Sequence, residues 1–217
     1  MNVTLIHHSG VLVELAHCSL LFDYYQGALH VNKEKPLYIF ASHAHADHFS
    51  EKIFAIDHPE KHYILSDDIH TAHDHLSVSP HHTYHLNDLT IETLFSTDQG
   101  VAFIVTTEGQ SIYFAGDLNN WHWIGEDENG NKWQKEHYLA ELNRIAHRHF
   151  TLSCVVVDDR QEEAYLEGLE AFIQMTTSDA ILPIHYFGHY RISETLKKAH
   201  IDAPLLFPDH DGYTVTL

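Results

Sequence analysis

A four-residue apolar run, Leu37-Tyr38-Ile39-Phe40, opens through Ala41 onto Ser42-His43-Ala44-His45-Ala46-Asp47-His48. No other feature constrains the fold as strongly. A run that is apolar on both faces reads as a central strand of a covered sheet. The four potential metal ligands behind it must then be displayed at the end of that strand. In extended backbone alternate side chains share a face, so His43 and His45 point the same way. A turn into a helix at Asp47-His48 redirects those two side chains, and one short segment can then supply two adjacent metal sites. The alanine spacers let the turn pack tightly. The chain holds 23 histidines, so a lone His-x-His would mean little. HxHxDH at a strand end is much harder to reach by chance.

The rest of the chain supplies strands first and then strands alternating with helices. Short apolar or alternating runs at 3–6, 11–15 and 20–22 read as a meander broken at Ser9-Gly10 and His17-Cys18. A short helix is expected over 49–56, a strand over 63–65, irregular histidine-rich chain over 70–85, and a strand over 89–94. Residues 101–106 and 111–115 predict a hairpin around Thr107-Glu108-Gly109-Gln110, with glycine supplying positive φ. After a loop over 119–131, Tyr138, Leu142, Ile145 and His149 mark one helix face. Strands at 153–157, 180–184 and 213–217 and helices over 165–173 and 192–199 complete the pattern. No repeat, low-complexity linker or Pro/Gly-rich boundary appears. One α+β or α/β domain over residues 1–217, with helices covering sheets, is the economical reading.

The motif alone carries too few ligands for two metals, and three further positions fit. Asp117 follows the apolar run Ile112-Tyr113-Phe114-Ala115 and Gly116. His185 follows Ile181-Leu182-Pro183-Ile184 in the same manner, and Asp98 lies between two strands in Ser96-Thr97-Asp98-Gln99-Gly100. A lone Asp after a strand is usually a turn or helix cap. The weight here comes from order and spacing.

HxHxDH, then strand-Gly-Asp, then a strand-terminal histidine resembles the metallo-β-lactamase-fold hydrolase superfamily across essentially the whole chain, including the opening meander that ends in Leu21-Phe22-Asp23. The resemblance implies a four-layer αββα sandwich with a binuclear metal site at one edge. Residue by residue, it makes His43 and His45 similar to first-metal ligands. It makes Asp47, His48 and His185 similar to second-metal ligands, and Asp117 similar to the bridging carboxylate. Asp98 stands where the family usually has a third histidine. A carboxylate there hardens the site and shifts preference from zinc toward manganese or iron.

The implied chemistry is hydrolysis by water activated between two divalent cations, zinc, manganese or iron, with Asp47 relaying a proton to the leaving group. Trp121-His122-Trp123, shortly after Asp117, reads either as a pocket wall with His122 on a substrate oxygen or as packed core. His70, His73, His75, His81, His82 and His85 read as a solvated run. Cys18 and Cys154 read as reduced core thiols. Lys plus Arg number 12 against 31 Asp plus Glu, a formal charge of −19, which argues against nucleic acid and anionic membrane as partners. No Lys or Arg occurs between 62 and 131, so a small ester, lactone, amide or phosphoester suits the site better than a long polyanion. The length and strand pattern resemble most the small cytosolic lactonase-like branch. The N-terminus has no basic region and no stretch approaches the ~20 apolar residues of a membrane span, so a soluble cytoplasmic protein is expected. Self-association into a homo-oligomer is left open. Two other readings compete: a di-iron redox protein using the same ligands, and a non-catalytic metal-binding protein.

Overall fold

The computed structural model describes residues 1–217. Thirteen strands form two mixed sheets. From edge to edge the first sheet runs β13 (Tyr213–Thr216), β1 (Asn2–His7), β2 (Gly10–Glu14), β3 (Ser19–Phe22), β4 (Leu37–Ala41), β5 (Lys61–Ser66) and β6 (Leu76–Val78). The second runs β12 (Thr177–Ile184), β11 (His149–Val156), β10 (Gln110–Phe114), β9 (Val101–Thr107), β8 (Leu89–Phe95) and β7 (Thr83–Leu86). Strand β4 is buried at all five positions between parallel β3 and β5, as its unbroken apolar run requires.

The faces that the sheets turn toward each other bury aromatic side chains from both. Phe22 of β3 stacks on Phe40 of β4 at 4.7 Å and on Phe114 of β10 at 4.6 Å, with Phe103 of β9 edge-on to Phe40. The strands carrying these rings end beside the HxHxDH segment, so the packing that joins the sheets also aligns the strand ends. Helices α1 (Glu128–Arg144) and α2 (Glu167–Met175) cover the second sheet, burying Tyr138, Leu142, Leu169 and Phe172. Helix α3 (Arg191–Ala199) buries Ile192 and Leu196. The outer face of the first sheet is covered more thinly, with Ile53 of a 3-10 turn at Glu51–Ala55 packing on Ile39, Leu65 and Ile69. The α+β class and its helix–sheet–sheet layering stand as expected, with that turn as the outermost layer.

The local differences have physical causes. Residues 70–85 are not irregular throughout: β6 and β7 lie there, because Leu76 and Val78 pair with Ile64 and Ser66, and Tyr84 and Leu86 pair with Ile91 and Leu89. Those partners are distant or lie across a turn, so no local period announces them. The helix expected to run to His149 ends at Arg144, and His149 instead opens β11 beside Thr177. The hairpin loop is two residues, Glu108 (φ 52°) and Gly109 (φ 72°), not four. Both take the positive φ that matches strand twist. The Glu108 carboxylate accepts from the Ala16 and His17 backbone N–H groups, each at 2.9 Å. Cys18 and Cys154 are buried and unpaired.

Candidate metal centre

The centre gathers at the carboxyl ends of strands. Ser42 and His43 follow β4, Asp117 follows β10, Asp158 follows β11 and His185 follows β12. Asp23 directly follows β3, and Asp98 precedes β9, which runs antiparallel to β10 and so begins at the same edge. Asp23 (φ 44°) and His185 (φ 78°) hold left-handed backbone, which costs a non-glycine residue ~1–3 kcal/mol and persists where surrounding structure imposes it. Two glycines permit the close approach. A Cβ on Gly100 (φ 70°) would lie 2.0 Å from the Ser42 carbonyl oxygen, and one on Gly116 (φ 53°) would lie 2.6 Å from Ser42 Cβ.

Two clusters of ligand atoms result. His43, His45, Asp98 and Asp117 form one, and His8, Asp47, His48 and His185 the other; within each, one ligand atom per residue lies within 4.8 Å of the rest. In the first, His43 Nε2 is 3.0 Å from His45 Nδ1 and 3.5 Å from Asp117 Oδ2, and His45 Nδ1 is 3.6 Å from Asp98 Oδ2. In the second, Asp47 Oδ2 is 3.4 Å from His8 Nε2 and 3.9 Å from His48 Nε2. Asp117 spans the two: its Oδ1 is 3.1 Å from His48 Nε2 and 3.3 Å from His185 Nε2.

Buried carboxylates set the histidine rings. His48 Nδ1 is 2.7 Å from Asp23 Oδ2, and His185 Nδ1 is 2.8 Å from Asp158 Oδ2. Ser42 Oγ donates to Asp23 Oδ2 at 2.6 Å and accepts from His43 Nδ1 at 2.9 Å. With protons held on Nδ1, these rings turn Nε2 inward, the arrangement that metal-binding histidines use. His48 Nε2 and Asp117 Oδ1 are buried and make no hydrogen bond. Two such atoms, facing each other and removed from water, require positive charge between them, supplied by a proton or by a metal ion. Electrostatics state the same demand. Burial pushes the His48 pKa down, but Asp117 and Asp23 outweigh it and raise it well above the usual value. Burial pushes Asp117 up, yet His48 and His185 hold it well below the usual carboxylate range. Burial, with His48 beside it, lowers His43. The donor set of imidazole nitrogens and carboxylate oxygens suits zinc, manganese or iron.

All seven metal-ligand candidates from the sequence converge: His43, His45, Asp47, His48, Asp98, Asp117 and His185. His122 does not. Its Nδ1 is 2.9 Å from Glu167 Oε1, while Trp121 and Trp123, stacked at 5.7 Å, line the cavity beside the centre. None of the six histidines between 70 and 85 enters a cluster. Sequence reasoning missed His8 and the orienting roles of Asp23 and Asp158. The available signal was a titratable residue directly behind an apolar strand, as at Ile184-His185. The cavity, about 240 Å³, has Trp121, Trp123 and Phe187 as its apolar wall and Arg160 as its one cationic side chain. Arg160 is tied to Asp158 and lies 4.6 Å over the Phe187 ring. No helix is long and apolar enough to cross a membrane.

A family model described as β-lactamase superfamily domain matches residues 2–125. Among curated proteins no sequence matches. Among solved structures, Igni18, described as a novel metallo hydrolase from the hyperthermophilic archaeon Ignicoccus hospitalis, is similar at 16% identity and a TM-score of 0.66, over 99% of this chain and 97% of its own. An isothiocyanate hydrolase from Delia radicum gut bacteria is similar at 16% identity and a TM-score of 0.61, over 100% of this chain and 99% of its own. CmlA, a diiron β-hydroxylase from Streptomyces venezuelae, is similar at 10% identity and a TM-score of 0.64, over 100% of this chain and 54% of its own. At these identities the likeness is one of fold.

Proposed function

The chain belongs to the β-lactamase superfamily, and on that premise we propose that it is a metal-dependent hydrolase of a small-molecule ester, lactone, amide or phosphoester, with a centre for two divalent cations. The observation that carries this reading is Asp117. One carboxylate oxygen faces His48 and His185 at 3.1 and 3.3 Å, and the other faces His43 at 3.5 Å. A carboxylate whose two oxygens serve two ligand clusters is suited to bridging two ions. His43, His45 and Asp98 would hold one ion with Asp117, and Asp47, His48 and His185 the other. Two such cations supply Lewis acidity and lower the pKa of water toward neutrality.

The residues do the remainder. Asp23 and Asp158 keep the His48 and His185 rings in register through Nδ1. Asp47 is half-exposed at the cavity, where the carboxylate oxygen not given to an ion would carry a proton to the leaving group. Trp121, Trp123 and Phe187 give the substrate an apolar wall and exclude water along it. A cavity of this size favours a compact substrate, and the partner is a small molecule rather than nucleic acid or membrane. The test is a panel of lactones, phosphodiesters and amides run with Mn²⁺ and Zn²⁺, with metal content measured. His45→Ala and Asp117→Ala should each abolish turnover and strip metal. Full activity in either variant would falsify the assignment, and redox-active iron at two per chain would favour a di-iron redox protein instead.

A further inference from the structure

The histidines at the centre are wired in two opposite senses. In His43, His48 and His185 the Nδ1 atom faces an acceptor, Ser42 Oγ, Asp23 Oδ2 and Asp158 Oδ2 respectively. A proton therefore sits on Nδ1, and Nε2 is the nitrogen left to face the carboxylates and a metal ion. In His8 the Phe187 backbone N–H donates to Nδ1 at 3.2 Å. A ring nitrogen that accepts carries no proton, so the His8 proton sits on Nε2, where a metal bond would have to form. That Nε2 is buried, makes no hydrogen bond and faces Asp47 Oδ2 at 3.4 Å.

We propose that His8 is a positioning residue rather than a metal ligand, its Nε2–H facing the Asp47 carboxylate as the donor that draws it toward His48 and His185 and closes to a hydrogen bond when the centre is filled. The proposal rests on the dinuclear reading of the centre. Its second support is what Asp47 lacks. His43, His48 and His185 each have a dedicated orienting partner, whereas the other ring nitrogen within 4 Å of Asp47 Oδ2 is His48 Nε2 at 3.9 Å, itself turned inward. The third is how firmly His8 is held. Its ring lies on Phe187 at a centroid distance of 3.7 Å and beside His185 at 4.2 Å, and its carbonyl accepts from the His185 N–H at 3.1 Å. His8 (φ 55°) and Phe187 (φ 46°) both hold left-handed backbone, a cost that the reciprocal bonds between the two segments offset.

The test uses the full chain and the metal alone, Zn²⁺ throughout and Mn²⁺ for uptake. Long-range ¹H–¹⁵N spectra of the imidazoles, with the His8 signals assigned by their loss in His8→Gln, should show His8 Nε2 protonated and Nδ1 bare in the metal-free protein. On adding two equivalents of Zn²⁺, the His48 and His185 Nε2 signals should move on coordination while the His8 Nε2–H persists. Zinc titrations of two variants supply the second readout. His8→Phe keeps the ring but removes the donor, and should weaken one of the two zinc affinities ~10–100-fold, as loss of an outer partner does. His8→Gln, with an amide able both to accept from Phe187 and to donate to Asp47, should restore it. Disappearance of the His8 Nε2–H on zinc binding makes His8 a ligand and overturns the proposal while leaving the dinuclear reading intact. So does wild-type zinc affinity in His8→Phe. A wild-type chain that takes up neither Zn²⁺ nor Mn²⁺ overturns the dinuclear reading itself, and the proposal with it.

Discussion

At the level of single residues, the chemistry depends on which nitrogen of each ring is bare. Asp23 controls this twice, through His48 Nδ1 directly and through Ser42 Oγ to His43. Asp23→Asn should therefore disturb both clusters together, lowering metal affinity or turnover ~10–100-fold. A metal titration checks this, and undisturbed affinity at both positions would refute the shared role. Asp98 touches one cluster only, at 3.6 Å from His45. Asp98→Ala should weaken one ion more than the other, and equal occupancy of both after substitution would exclude it as a ligand. The four HxHxDH positions were legible in the sequence because covalent geometry alone keeps them together behind β4. His122 misled for the opposite reason: its neighbours in sequence line the cavity, and its own ring turns to Glu167 on a distant helix.

Among the elements, helix α1 shows how little periodicity guarantees. It buries only Tyr138, Glu141 and Leu142, so apolar contact holds it weakly. Polar links contribute the rest. The Glu141 carboxylate accepts from the Phe95 backbone N–H at 3.1 Å, from His81 Nε2 at 2.9 Å and from Arg144 Nε at 3.2 Å, and Tyr138 Oη donates to the Gly168 carbonyl oxygen at 2.9 Å. Glu141→Ala should cost ~1–3 kcal/mol by leaving the Phe95 N–H unpaired, read from denaturant unfolding. A loss below the error of that measurement would show that the helix is held by its apolar residues alone. Strands β1 to β4 and β8 to β10 were legible because each carries its own apolar run. Strands β6 and β7 were not, because neither carries an unbroken apolar run and each is specified by the partner it adds to.

Over the molecule as a whole, one edge of two sheets concentrates acidic groups in a chain of formal charge −19. Asp23, Asp117 and Asp158 are buried there and Asp47 half-buried, and their mutual repulsion is relieved by cations. Metal removal should therefore lower stability. At a free ion concentration a hundred times the Kd, binding adds ~2.7 kcal/mol, a melting shift of roughly 5–10 °C for a chain of this length. Thermal melts with and without a chelator, then with Mn²⁺ or Zn²⁺ restored, measure it. A melting temperature indifferent to both treatments would mean that the folded state binds no ion.

Sequence alone determined that a buried strand delivers His43, His45, Asp47 and His48 to a sheet edge, and that Asp117 and His185 end strands in the same manner. These are local facts, set by side-chain alternation and by where an apolar run stops. Only the tertiary structure decided that β1 and β12 end side by side, so that His8 meets His185 and Phe187, and that Asp23 and Asp158 lie behind the rings. A hydrogen bond between positions 8 and 187 leaves no periodic trace in the chain. It exists because two sheets pack face to face on Phe22, Phe40, Phe103 and Phe114, and that packing determines which ring nitrogen meets an acceptor and which meets a donor.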